Sequence, residues 1–100
     1  MVNILLVCSA GMSTSMMVKK MQEAAVKKGI EANIWAVGDA ESASNAPKAD
    51  VIMLGPQVRF LKSKMEATAG DKPVAVIDMA AYGMMNGEKV FEQALSLIGK

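Results

Sequence analysis

The sequence predicts an α/β fold: a four-stranded parallel sheet, strand order 2-1-3-4, with helices on both faces. Three observations predict it. Short strand-like segments alternate with segments of helical period along the chain. Two of the strand-like segments, Val2 to Val7 and Asp50 to Leu54, are nearly continuous apolar runs. Strands covered on both faces read that way. The other two are less apolar, so the first and third strands belong at the centre, and right-handed crossovers then fix the order.

The elements follow in turn. Val2 to Val7 is broken only by Asn3. Cys8 to Ser15 reads as a loop of small and hydroxyl residues, and Thr14 to Lys28 as a helix. Its inward stripe is Met17, Val18, Met21, Ala24 and Ala25. Lys19, Lys20, Glu23 and Lys27 take the solvent face, and Gly29 is a C-terminal stop. Glu31 to Val37 alternates and suits an edge strand. Asp39 is expected to cap a short helix that ends before Pro47. Asp50 to Leu54 is stopped by Gly55-Pro56. A helix from about Gln57 to Ala69 turns Val58, Leu61, Met65 and Ala69 inward, and Gly70 closes it. Pro73 to Ile77 is the fourth strand, Asp78 to Asn86 a loop. Gly87 to Ile98 is the last helix, with Val90, Ala94, Leu97 and Ile98 inward.

Composition excludes whole classes of chemistry. At 100 residues, positions 1–100 are expected to form a single domain. There is no histidine and one cysteine. This rules out a Ser-His-Asp triad, a Cys-His dyad, a Cys-x-x-Cys pair and an intrachain disulfide. The reading therefore calls for no metal and no cofactor. A net charge of +1 gives no electrostatic footprint for nucleic acid. No run of about 18 apolar residues appears, so no transmembrane segment is expected. The start lacks the basic region of a signal peptide. A free thiol fits a reducing, cytoplasmic compartment.

In open parallel sheets, ligands bind at the carboxyl ends of the strands, where the chain order reverses. Here that point lies between the first and third strands. Cys8, Ser9, Ala10, Gly11, Met12, Ser13, Thr14 and Ser15 sit there. Gly55-Pro56-Gln57 and Asp78 to Gly83 lie on the same edge. A loop that enters a helix presents unpaired N–H groups to an anion. Small residues let phosphate approach, and Ser9, Ser13, Thr14 and Ser15 add hydroxyl donors. Cys8 at the mouth of this cradle is the expected nucleophile. Its competing interpretation is a small apolar residue that prolongs the strand.

The cradle is not a Walker A loop, because no lysine follows Gly11 at the required spacing. Nor is it a dinucleotide fingerprint, which needs three spaced glycines. Fold and cysteine loop together resemble the low-molecular-weight tyrosine phosphatases. Those enzymes use Cys-x5-Arg, and the position six after Cys8 is Thr14. An arginine there would clamp the phosphoryl oxygens. Without it, and without an evident acid to activate water, the loop is suited to carry phosphate rather than to hydrolyse it. Asp78 is the nearest carboxylate, and a cap or turn role competes for it.

The run Ile4 to Ser15 resembles the cysteine loop of the lactose/cellobiose-type enzyme IIB component of the bacterial sugar phosphotransferase system. Leu54 to Phe60 and Ile77-Asp78 with Tyr82 to Gly87 resemble the same family. The likeness extends over essentially the whole chain and is closest to the stand-alone cellobiose/chitobiose type. It implies that Cys8 takes a phosphoryl group from a phosphohistidine on a IIA partner. The phosphocysteine then passes it to a sugar, a β-linked disaccharide, carried by the membrane IIC component. It also implies a cytoplasmic protein held at the inner face of the membrane through IIC. Met79-Ala80-Ala81 lacks a proline expected from the family pattern.

Four further residues are candidate accessory or partner contacts: Met16, Arg59, Asp78 and Tyr82. Met16 falls on the charged helix face near the loop, and with Met12, Met84 and Met85 it would form an adaptable apolar rim for partner docking. Arg59, the only arginine, stands at the active edge, where a solvated role competes. Tyr82 is placed to meet the phosphate or simply to pack. A phosphatase-like hydrolase and a flavodoxin-like binding module are the alternative functions.

Overall fold

A computed structural model describes residues 1–8 and 11–99, with the backbone alone for residues 11–14 and 39. The strands are β1 (Val2–Val7), β2 (Ala32–Val37), β3 (Val51–Leu54) and β4 (Val74–Val76). They form one parallel sheet in the order β2-β1-β3-β4, as the apolar runs predict. The helices are α1 (Gly11–Lys28), α2 (Asp39–Asn45), α3 (Lys62–Ala69), α4 (Met79–Gly83) and α5 (Gly87–Leu97). Short 3-10 turns at Ala46–Lys48 and Pro56–Leu61 flank β3.

Both central strands feed two cores. Ile4, Leu6, Val51 and Met53 face one side with Met17, Met21, Val90 and Phe91. Leu5, Val7, Ile52 and Leu54 face the other with Val58, Leu61 and Met65. This is why neither strand alternates: both of its faces are interior. Each such side chain contributes about 1.5–3 kcal/mol relative to exposure. Asn3 interrupts the run for a reason at the sheet's lower end. Asp50 Oδ2 accepts from its backbone N–H at 2.8 Å and from Nδ2 at 3.2 Å. Trp35 on edge strand β2 is half-buried, and its Nε1–H donates to Asn45 Oδ1 at 3.0 Å.

The structure corrects several expected boundaries. α1 begins at Gly11 rather than Thr14, so Gly11 to Ser13 belong to helix and not to loop. The cap position of α2 is Gly38, and Asp39 is its first helical residue. The expected helix from Gln57 begins as a 3-10 turn. Val58 leaves helical geometry there, at φ −120° and ψ 25°, and the α-helix starts at Lys62. The stretch expected as loop between Asp78 and Asn86 contains α4. Asp78 Oδ2 accepts from the Ala81 N–H at 3.0 Å and nucleates that turn over good helix formers. In α5 the buried set is Val90, Phe91, Ala94 and Leu95, while Leu97 lies on the flank of the stripe and is exposed.

α1 and α5 cross closely. Lys27 pairs with Glu88 at 3.4 Å and Lys28 with Glu92 at 3.0 Å, surface bridges worth about 0–1 kcal/mol each. Gly87 matters more. A Cβ there would meet the Lys20 side chain and would stand 2.5 Å from the Lys20 carbonyl carbon. The obstacle is backbone, which cannot swing aside. Gly87→Ala is therefore expected to lose about 1–3 kcal/mol despite alanine's better helix propensity. A urea midpoint equal to or above that of the parent protein would contradict this.

Candidate functional site

Cys8 directly follows β1. Its N–H donates to Val37 O at 3.1 Å, so β2 fixes its backbone. On the other side Val7 pairs with Leu54, and the Gly55 N–H donates to Val7 O at 2.9 Å. The register thus sets Cys8 beside Gly55, at the carboxyl edge where β1 and β3 lead in opposite directions across the sheet. Cys8 is 2% exposed. Only two positions separate it from the first residue of α1. The amino end of that helix, whose first N–H groups have no partner within the helix itself, is thus tied closely in sequence to the cysteine.

Gly55 is what leaves room for the sulfur. A Cβ at this position would stand 2.7 Å from Cys8 Sγ and 2.6 Å from Gln57 Oε1. Its backbone angles, φ −61° and ψ 149°, are open to any residue. The glycine is needed for space, not for conformation.

Tyr82, on α4, reaches the same point. Its Oη lies 3.9 Å from Cys8 Sγ, and Gln57 Nε2 donates to that Oη at 3.1 Å. The ring packs, half-buried, against the core shared with α1 and α5. Cys8, Gly55, Gln57 and Tyr82 therefore meet from the segments that follow β1, β3 and β4, three neighbouring strands of the sheet.

The other expected site residues fall as follows. Ser9 and Ala10 lie outside the described residues, as do the side chains of Met12, Ser13 and Thr14. Gly11 is the first helical residue, and Ser15 is exposed on α1. Asp78 holds its carboxylate on the Ala81 N–H, and its own N–H donates to Gln93 Oε1 at 3.1 Å. It caps α4. Arg59 is exposed in the 3-10 turn. Met16 is exposed, and Phe60, Met79 and Met84 are exposed further still. Met85 is half-buried against the core. Sequence reasoning put Gly55 and Gln57 on the correct edge without a role. The signal was available, because extending the β1–β3 pairing by one residue sets Gly55 against Cys8.

Fold and site define a small α/β protein with one buried cysteine at the switch point of a parallel sheet. The sequence matches the profile described as PTS system, lactose/cellobiose specific IIB subunit, over residues 3–93. It is 53% identical over 100 residues to the oligo-beta-mannoside-specific EIIB component of the PTS system of Bacillus subtilis (strain 168), covering 98% of this chain and 97% of that protein. It is 43% identical over 102 residues to the galactose-specific EIIB component of Lactococcus lactis subsp. cremoris (strain MG1363), covering 95% and 94%. A solution structure of the cellobiose-specific phosphotransferase IIB component from Borrelia burgdorferi superposes with a TM-score of 0.79 at 41% identity, covering 98% of this chain and 92% of that one. The lactose-specific IIB domain from Streptococcus pneumoniae has the same fold at 16% identity, TM-score 0.85, covering 96% of each chain. The chain belongs to the lactose/cellobiose-specific IIB family of the phosphotransferase system, whose members are sugar phosphotransferase components. Among the described residues no helix is long and apolar enough to cross a membrane.

Proposed function

We propose that Cys8 is a phosphoryl carrier. It takes the group from a phosphohistidine on a IIA protein and gives it to a sugar held by a membrane IIC protein, at the inner face of the membrane. The observation that carries this reading is the position of the only thiol in the chain: after central strand β1, beside Gly55, with two residues between it and the start of α1. Backbone N–H groups at a helix start favour a bound dianion. Ser9, Ala10, Gly11, Met12, Ser13, Thr14 and Ser15 are the proposed phosphate-binding segment.

The chain has no histidine to serve as phosphoryl donor or general base. Both roles fall to the partners. Met16, Phe60, Met79 and Met84 supply exposed apolar surface suited to docking them. The named relatives act in systems for oligo-β-mannoside, galactose and cellobiose. A β-linked disaccharide or a related short β-glycoside is the acceptor class proposed here.

The test is a relay assay. The chain is incubated with radiolabelled phosphoenolpyruvate, the general phosphotransferase proteins and a lactose/cellobiose-type IIA protein. Label is expected in the peptide that holds Cys8. It should drain when vesicles bearing the IIC protein and a β-linked disaccharide are added. Absence of label, or label in another peptide, rejects the reading.

A further inference from the structure

The hydroxyl of Tyr82 stands between two side chains from other sheet connections. Cys8 Sγ is 3.9 Å from Oη, and Gln57 Nε2 donates to Oη at 3.1 Å. The ring itself is half-buried against the core. We propose that Tyr82 donates its hydroxyl proton to the Cys8 sulfur when that sulfur is charged, and that Gln57 is the positioning residue that sets the direction of this bond.

The direction follows from which atoms carry protons. A side-chain amide nitrogen only donates, so the Tyr82 oxygen is an acceptor towards Gln57. The single Tyr82 proton then points elsewhere. A thiolate has no proton and only accepts. The one hydrogen bond these two groups can make in that state is O–H···S⁻, and bonds to an ionised partner are the strong ones.

The inference rests on Cys8 being the phosphoryl carrier. On charging, a sulfur lone pair attacks phosphorus. The S–P bond forms, the P–N bond to the partner's imidazole breaks, and its electron pair stays on nitrogen. On discharge an acceptor attacks phosphorus, the S–P bond breaks, and its pair returns to sulfur. Tyr82 meets that returning charge, which lowers the barrier to release. During charging the same bond is loosened as the sulfur loses its charge. The pair therefore biases the relay towards handing the phosphoryl group on.

Two variants separate this from packing. Tyr82→Phe keeps the ring and removes the proton. Gln57→Glu, at an exposed position, offers a carboxylate that accepts the Tyr82 proton and turns it away from sulfur. The full chain is charged through a lactose/cellobiose-type IIA protein and freed of it. It is then discharged onto unlabelled IIA, whose imidazole takes the group back. Both variants are expected to discharge about three- to tenfold more slowly. Both should hold a larger phosphocysteine share at equilibrium with IIA, with charging not slowed. Charging and discharge slowed alike, or a Tyr82→Phe protein with parental rates, overturns the proposal. A slow Tyr82→Phe beside a Gln57→Glu protein of parental rate overturns the role of Gln57. A parent protein that takes no label overturns the carrier reading and this inference with it.

Discussion

Cys8→Ser is expected to abolish phosphoryl uptake, by a factor on the order of a thousand or more. An alcohol ionises far less readily than a thiol, and its oxygen becomes a useful nucleophile only beside a base. This chain has no histidine. The one carboxylate foreseen near the edge, Asp78, is engaged on the Ala81 N–H as a helix cap. A serine hydroxyl at this position would accordingly meet the phosphohistidine with nothing to take its proton. The substitution is nearly isosteric, and the buried hydroxyl costs about 1–3 kcal/mol if it finds no partner. Thermal unfolding should therefore show a folded protein of slightly lower midpoint. Label in the relay assay at more than a few per cent of the parental level would remove Cys8 as the carrier.

The residues that made the fold legible are those with one possible environment. Ile4, Leu5 and Leu6 in succession leave no face for solvent, so β1 is central. Met17, Met21, Ala24 and Ala25 keep one helical phase and all are buried. Two of the misplaced boundaries share a cause: short segments whose local preference is weak and whose state depends on a few contacts. α4 exists because Asp78 accepts one N–H. The turn after Gly55 is 3-10 because Pro56 starts it and Val58 must drop into the core shared by Leu5 and Ile52. Neither event has a periodic signature.

The site was legible in its position and less so in its parts. Cys8 and its edge follow from strand order alone. Tyr82 was placed on that edge, but its reach to the sulfur depends on α4 being helical, which the sequence disguised as loop. Gln57 is a polar residue in a turn, and only its distance from Tyr82 sets it apart. Asp78 shows how the two readings of one residue are resolved by geometry, here in favour of the cap that the sequence already offered. A carboxylate at the active edge invites a catalytic role, yet its geometry is that of a cap.

Gly55→Ala is expected to leave the fold standing and to cut charging of Cys8 by about tenfold to a hundredfold. The backbone accepts alanine at φ −61° and ψ 149°, so no conformational strain arises. The added methyl would meet the sulfur at 2.7 Å and Gln57 Oε1 at 2.6 Å. Gln57 is exposed and long, and its end can swing away. Cys8 has no such freedom. It has one rotatable bond, its N–H is tied to Val37 O, and its surroundings are closed. The methyl must then either rotate the sulfur out of its place or part the ends of β1 and β3, where the Gly55 N–H holds Val7 O. Overpacking of this size costs about 1–3 kcal/mol, which a domain with two well-filled cores survives. Displacing a nucleophile by about 1 Å from an in-line geometry is far more damaging to a reaction built on positioning. The expected signature is a folded protein whose unfolding midpoint drops by several degrees, as about 1–3 kcal/mol implies for a domain of this size, with a charging rate reduced far more. Parental charging in Gly55→Ala would mean that the sulfur does not react from the place it occupies beside Gly55.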